Sequence, residues 1–187
     1  MSPIYTYLYY FPLQAWGTIG ILVLVYYVSY RVLKAARARG RIDTFHAKAT
    51  LLLIAYSLIL LYLTFLGRRS IDTYGFNFEL GYSYRRAFQE GDAAIRKEII
   101  ENILLFLPIG GLGVMARKRF RFPVTMMYGF LLSAVVEYFQ LRLQRGLCEY
   151  DDILSNALGT FIGSLVVLLV TEGYQLWKRN RQKSCRS

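Results

Sequence analysis

One histidine, two cysteines and twelve acidic residues are all that 187 residues supply of these types, and each shortage removes a class of chemistry. His46 stands alone in a basic segment, so neither a histidine-rich metal site nor a serine–histidine–acid triad lies within reach of one chain. Cys148 and Cys185 fall on opposite sides of a membrane in the topology derived below, which argues against an intrachain disulfide. Charge is missing altogether from Met1 to Tyr30. Internal repeats and low-complexity segments are also missing. No cofactor, metal ligand set or catalytic residue is assigned from these residues.

What is present is apolar surface and positive charge. Hydrophobic residues make up 55% and aromatic residues 16%, and mean hydropathy is +0.32, too high for a typical soluble domain of this size. The apolar residues come in uncharged runs of roughly 15–20, the length that crosses a bilayer. The net charge of +11 sits in short clusters between those runs. That is the pattern of positive-inside topology rather than of a nucleic-acid face.

The runs predict an all-α polytopic bundle, one integral membrane domain over 1–187. Spans are expected at about Leu13–Val32, Ala49–Leu66, Ile103–Ala116, Pro123–Leu141 and Ile153–Val170. Basic residues follow the first span (Arg31, Lys34, Arg37, Arg39, Arg41, Lys48), whereas a cleavable leader would carry them before it. The N-terminus is therefore expected outside, with Tyr5, Tyr7, Tyr9, Tyr10 and Phe11 as an outer aromatic belt. Arg117, Lys118, Arg119 and Arg121 mark the second inner loop, and Lys178 to Arg186 an inner C-terminus. Arg68 and Arg69 fall on the expected outer side. The second span, rich in leucine, reads as a plain lipid-facing anchor.

The segment from Ile71 to Ile99 is the longest loop, with Arg85, Arg86, Arg96 and Lys97 matched by Asp72, Glu79, Glu90, Asp92 and Glu98. Its aromatic centre suggests a piece lying in the interface. Gly91-Asp92 offers an N-cap, so a helix is expected to begin near Ala93. The third run is short for a span, ~21 Å of helix against ~30 Å of hydrocarbon, unless it recruits Ile99 to Asn102. Pro108, Gly110 and Gly111 interrupt it. Such breaks mark binding sites in some transporters and are packing kinks elsewhere. A four-span version with this run re-entrant is the alternative, at the cost of moving one basic cluster outside.

Polar groups converge between Ser133 and Gly163. Ser133, Glu137, Gln140 and Gln144 follow helical spacing on the fourth span. The turn after it holds Arg142, Arg145, Glu149, Asp151 and Asp152. The fifth span opens with Asp152, Asn156, Gly159 and Gly163, and Asn102 enters the third from the same side. Charges within lipid cost several kcal/mol and face the bundle or a wet cavity. Ser133, Asn102, Gly159 and Gly163 read equally well as interhelical glue. Glu137, Arg145, Asp151 and Asp152 exceed what packing needs, and point to an ion-pair network, a lid or a headgroup clamp. Paired acids also suit a divalent cation, although no known ligand spacing is met.

Taken jointly, these residues resemble a known family. Asn102 to Gly110, with Phe106 and Pro108, resembles an N-x-x-x-F-x-P-x-G element of VanZ-like membrane proteins. Ser133, Glu137, Gln140 and Arg145, followed by Glu149-Tyr-Asp151-Asp152 with Asn156, Gly159 and Gly163, resembles the family's second half. The likeness covers about 82–170. It departs at Glu149, where the family usually carries Asp. It implies a multi-pass protein of the bacterial cytoplasmic membrane, from a family named for low-level resistance to the lipoglycopeptide teicoplanin. That is a phenotype rather than a reaction.

On this reading Asn102, Glu137, Gln140, Arg145, Glu149, Asp151, Asp152 and Asn156 form a ligand-facing set. Pro108, Gly110, Ser133, Gly159 and Gly163 are structural. The expected partner is a membrane lipid, a lipid-linked envelope precursor or the lipoglycopeptide. The first expectation is a non-enzymatic envelope protein. An enzyme acting on a lipid-linked headgroup, with Glu137 or an Asp151/Asp152 carboxylate as base, is the second. A small transporter, which would require oligomers, is the third.

Overall fold

The computed structural model describes residues 3–66, 75–77, 79–119, 121–142 and 147–184. Helices dominate: α1 (Pro3–Ala38), α2 (Thr44–Leu66), α3 (Tyr82–Phe88), α4 (Ala93–Met115), α5 (Arg121–Arg142) and α6 (Tyr150–Ser184). Two three-residue strands, β1 (Gly75–Asn77) and β2 (Leu147–Glu149), pair in parallel with Phe76 opposite Cys148. Among the described residues five helices are long and apolar enough to cross a membrane, namely α1, α2, α4, α5 and α6. The polytopic all-α bundle read from the sequence is therefore the observed fold. The strand pair was not foreseen, because three residues carry no usable alternation.

α4 is the central element, and its two faces pack by different rules. On one face Phe106 and Ile109 join Leu53 and Leu60 of α2 and Leu132 and Val136 of α5 in the large-residue core. On the other face three glycines stand where no side chain would fit. A Cβ on Gly159 would strike the carbonyl oxygen of Ile103, one on Gly163 that of Leu107, and one on Gly110 that of Thr160. The backbones of α4 and α6 thus touch directly, as small-residue membrane interfaces allow. Gly129 of α5 similarly makes room for the Thr160 side chain, and Gly113 of α4 for that of Thr125.

Two expectations change. The second span is no plain anchor: Ala47, Ala49, Leu53, Ser57 and Leu60 are buried. Tyr56 Oη donates to the Leu105 carbonyl at 2.9 Å, and Ser57 Oγ bonds Tyr128 Oη at 2.8 Å. Leucine-rich periodicity hides these contacts because lipid and core are equally apolar. Nor is the third run short. Asp92 caps α4 by accepting from the Ala94 and Ile95 amides, and the helix runs on for 23 residues through Pro108. Pro108 leaves one carbonyl, that of Leu104, without its usual helical donor. On either side of the proline, neighbouring helices donate to α4: Tyr56 to the Leu105 carbonyl and Ser164 Oγ to the Gly110 carbonyl at 3.3 Å. The continuous α4 removes the reason for the four-span alternative.

At one end of the bundle Asp43 caps α2 through the His46 amide (3.0 Å) and ties the α1–α2 turn to the α4–α5 turn through Lys118 (2.8 Å). Those bonds, the His46 amide first and then Lys118, hold its carboxyl well below the ordinary 3.8. A depressed carboxyl stabilises the fold at every pH above its unfolded value, and that contribution is lost as pH falls through the folded one. Thermal stability of the purified protein is expected to drop as pH goes below about 4 by more in the native chain than in Asp43→Asn. Parallel pH curves for the two proteins would disprove the tie.

Candidate functional site

The other end of the bundle is polar, and α3 lies across it. Gly81 precedes α3 with φ of 81°, a conformation that glycine adopts without strain. This turn aims two backbone amides at α6. The Gly81 and Ser83 amides donate to the two carboxylate oxygens of Asp151 at 2.7 and 2.8 Å. Asp151 is 2% exposed, so these charge-assisted bonds are what permit its burial. Ser83 Oγ donates to Glu149 Oε2 at 2.5 Å. Ser155 Oγ donates to the Asp151 carbonyl, which leaves Tyr84 Oη to donate to Ser155 at 2.8 Å.

The paired acids divide their work. Consecutive residues on a helix point about 100° apart. Asp151 holds α3, while Asp152 Oδ1 accepts from Asn102 Nδ2 of α4 at 2.7 Å. Deeper between α5 and α6, Asn156 Nδ2 donates to Ser133 Oγ at 2.9 Å. Glu137 and Gln140, each 2% exposed, follow Ser133 along the same stripe of α5. Gln140 Oε1 and Asn156 Oδ1 are buried without a hydrogen-bond partner among the described residues.

Above these buried contacts a cavity of about 450 Å³ opens between α3, α4, β2 and α6. Ile95 and Ile99 supply apolar wall, and Tyr82, Ser83, Arg86, Glu98, Glu149 and Asp152 supply the polar groups. Arg86 is steadied by Asp92 at 2.7 Å and, more loosely, by Glu90 at 3.8 Å. Its guanidinium lies over the Tyr82 ring, 5.8 Å from the centroid. Hydrogen bonding to Tyr82 and the nearby acids raise the Arg86 pKa, so it stays a cation throughout.

Of the residues expected to face a ligand, Glu149 and Asp152 line this cavity. Asn102 acts on it through Asp152, and Asp151 lies beneath α3 as its anchor. Glu137, Gln140 and Asn156 sit between helices, and Arg145 lies outside the described residues. The structural set behaves as a packing set: Gly110, Gly159 and Gly163 permit contact, Ser133 pairs with Asn156, and Pro108 stays inside the helix. Sequence reasoning missed Ser83, Arg86 and Glu98. The available signal was Tyr82-Ser-Tyr-Arg-Arg86 after a glycine, a short amphipathic turn too brief for periodicity to declare.

Among known proteins, a family model described as VanZ/LLP1 matches residues 50–171, from within α2 to within α6, and takes in the described residues of the polar end. No curated protein and no solved structure gives a significant match.

Proposed function

The chain belongs to the VanZ/LLP1 family, and from that premise we propose that it is a non-enzymatic envelope protein of the bacterial cytoplasmic membrane. Its polar cavity engages a lipid-anchored species at the outer surface and so contributes to low-level teicoplanin resistance. The carrying observation is the cavity itself, set where the α4 and α6 helices emerge and roofed by α3. At about 450 Å³ it lies within the range of small-ligand sites. It admits a lipid headgroup or a sugar, and is far too small for a whole glycopeptide. The charge of the loops supports the orientation: Arg117 to Arg121 and Lys178 to Arg181 gather at the opposite end, which positive-inside bias assigns to the cytoplasm.

Within the cavity Arg86 offers a planar fork for phosphate or carboxylate, and Glu98, Glu149 and Asp152 offer acceptors for ammonium or hydroxyl groups. Ser133 speaks against the enzyme reading, because its oxygen accepts from Asn156 and is fully buried. Arg86→Ala, Glu149→Gln and Asp152→Asn are expected to return teicoplanin susceptibility to that of cells lacking the protein. The check is growth inhibition at matched membrane levels of each variant. Unchanged resistance in all three would overturn the site.

A further inference from the structure

At the end of the bundle opposite α3, two grooves share one cation. We propose that this end binds an anionic phospholipid, with its phosphate between Arg117 and Arg121 and its acyl chains in the grooves on either side of Arg117. The first groove, about 430 Å³, is lined by both arginines together with Val114, Met115, Val167 and Val170. The second, about 340 Å³, is lined by Arg117 together with Leu33, Leu53, Ile54 and Tyr128. Among the described residues no Asp or Glu lines either groove. Asp43, the acid of the adjoining turn, is already held by Lys118 at 2.8 Å and by His46 at 2.7 Å. Arg117 and Arg121 make no ion pair among the described residues.

A further group points to the same occupant. Thr125 lines the second groove, is 1% exposed, and its Oγ1 is buried with no hydrogen-bond partner among the described residues. An unmet hydroxyl in an apolar wall is costly, and an acceptor brought in with an acyl chain removes that cost. The ester carbonyl of a glycerolipid, joined to the phosphate through the glycerol carbons, lies just below the headgroup and supplies it. Arginine forks recognise phosphate oxygens in pairs, and basic pockets between membrane helices select anionic headgroups. Free phosphate has no use for walls of valine and leucine, and a zwitterionic lipid brings a cation of its own beside the two arginines.

The full-length protein in phosphatidylcholine nanodiscs, doped with rising phosphatidylglycerol, tests this by native mass spectrometry of retained lipid and by thermal unfolding. Phosphatidylglycerol is expected to be retained over phosphatidylcholine and to raise the melting temperature. Arg117→Gln/Arg121→Gln is expected to weaken retention about fivefold per lost cation, roughly 25-fold together. Arg179→Gln/Arg181→Gln, on the exposed tail of α6, is expected to leave it unchanged. Val170→Trp keeps both arginines and alters a side chain already 66% exposed. It is expected to fold normally and to reduce retention by obstructing the first groove. Equal retention of the two lipids, native-like retention in both the double-arginine and Val170→Trp proteins, or equal stabilisation by inorganic phosphate would each overturn the assignment.

Discussion

Gly163→Leu is expected to abolish assembly of the bundle. A Cβ at this position lies against the Leu107 carbonyl oxygen, 2.9 Å from the carbonyl carbon and 3.1 Å from the Gly111 amide nitrogen. All three are backbone atoms of α4, so none can turn aside as a flexible side chain would. The helices must separate instead, which also withdraws Gly159 and Gly110 from their contacts along the same seam. Overpacking a core costs about 1–3 kcal/mol when side chains adjust, and backbone separation over several turns costs more. Domain stabilities are themselves only about 5–15 kcal/mol. Gly173→Leu, lower on α6 where nothing lies within 4 Å, is the matched control. Size-exclusion of detergent-solubilised protein is expected to show a native peak for Gly173→Leu and aggregate for Gly163→Leu. A native peak with unchanged melting for both would refute the direct backbone contact.

Asp151→Ala is expected to release α3 while the five long helices stay assembled. The carboxylate is the sole acceptor described for the Gly81 and Ser83 amides, and it is buried. Hydrogen bonds to charged groups are worth about 1.5–3 kcal/mol each, so losing the pair costs α3 roughly 3 kcal/mol or more. Hydrogen exchange across Gly81 to Phe88 is expected to accelerate by about 100-fold, with protection in α4 and α6 retained. Asp152→Asn serves as the contrast. It perturbs the bond from Asn102 and leaves the α3 amides held, so exchange there is expected to match the native protein. Equal acceleration in both variants would mean that the two acids act as one cluster rather than on separate partners. Because α3 carries Tyr82, Ser83 and Arg86 into the cavity, the proposed function implies that Asp151→Ala also loses resistance without a ligand contact of its own.

Much of the architecture was legible because a bilayer imposes a strict length and polarity test on each segment. The uncharged run around Leu22, the N-cap at Asp92 and the close spacing of Gly159 and Gly163 each depend on residues near in sequence. They emerge as α1, the start of α4 and the α4–α6 contact. The role of α2 was illegible for the opposite reason. Tyr56 and Ser57 look like incidental polar residues in a leucine-rich helix until Leu105 and Tyr128, 49 and 71 positions away, are brought beside them.

The sequence by itself determined the number of apolar helices, the polar character of the α5–α6 junction and the small-residue stripe on α6. These follow from composition and helical period alone. Only the tertiary structure decided which acid does what. Asp151 and Asp152 are chemically equivalent neighbours, and helix rotation sends one to the α3 amides and the other to Asn102. It also decided that Arg86 of α3 lines the cavity, 63 or more positions before the acids of the α5–α6 junction that meet it there. A cavity is made by surfaces distant in the chain, and no local pattern encodes which of them will meet.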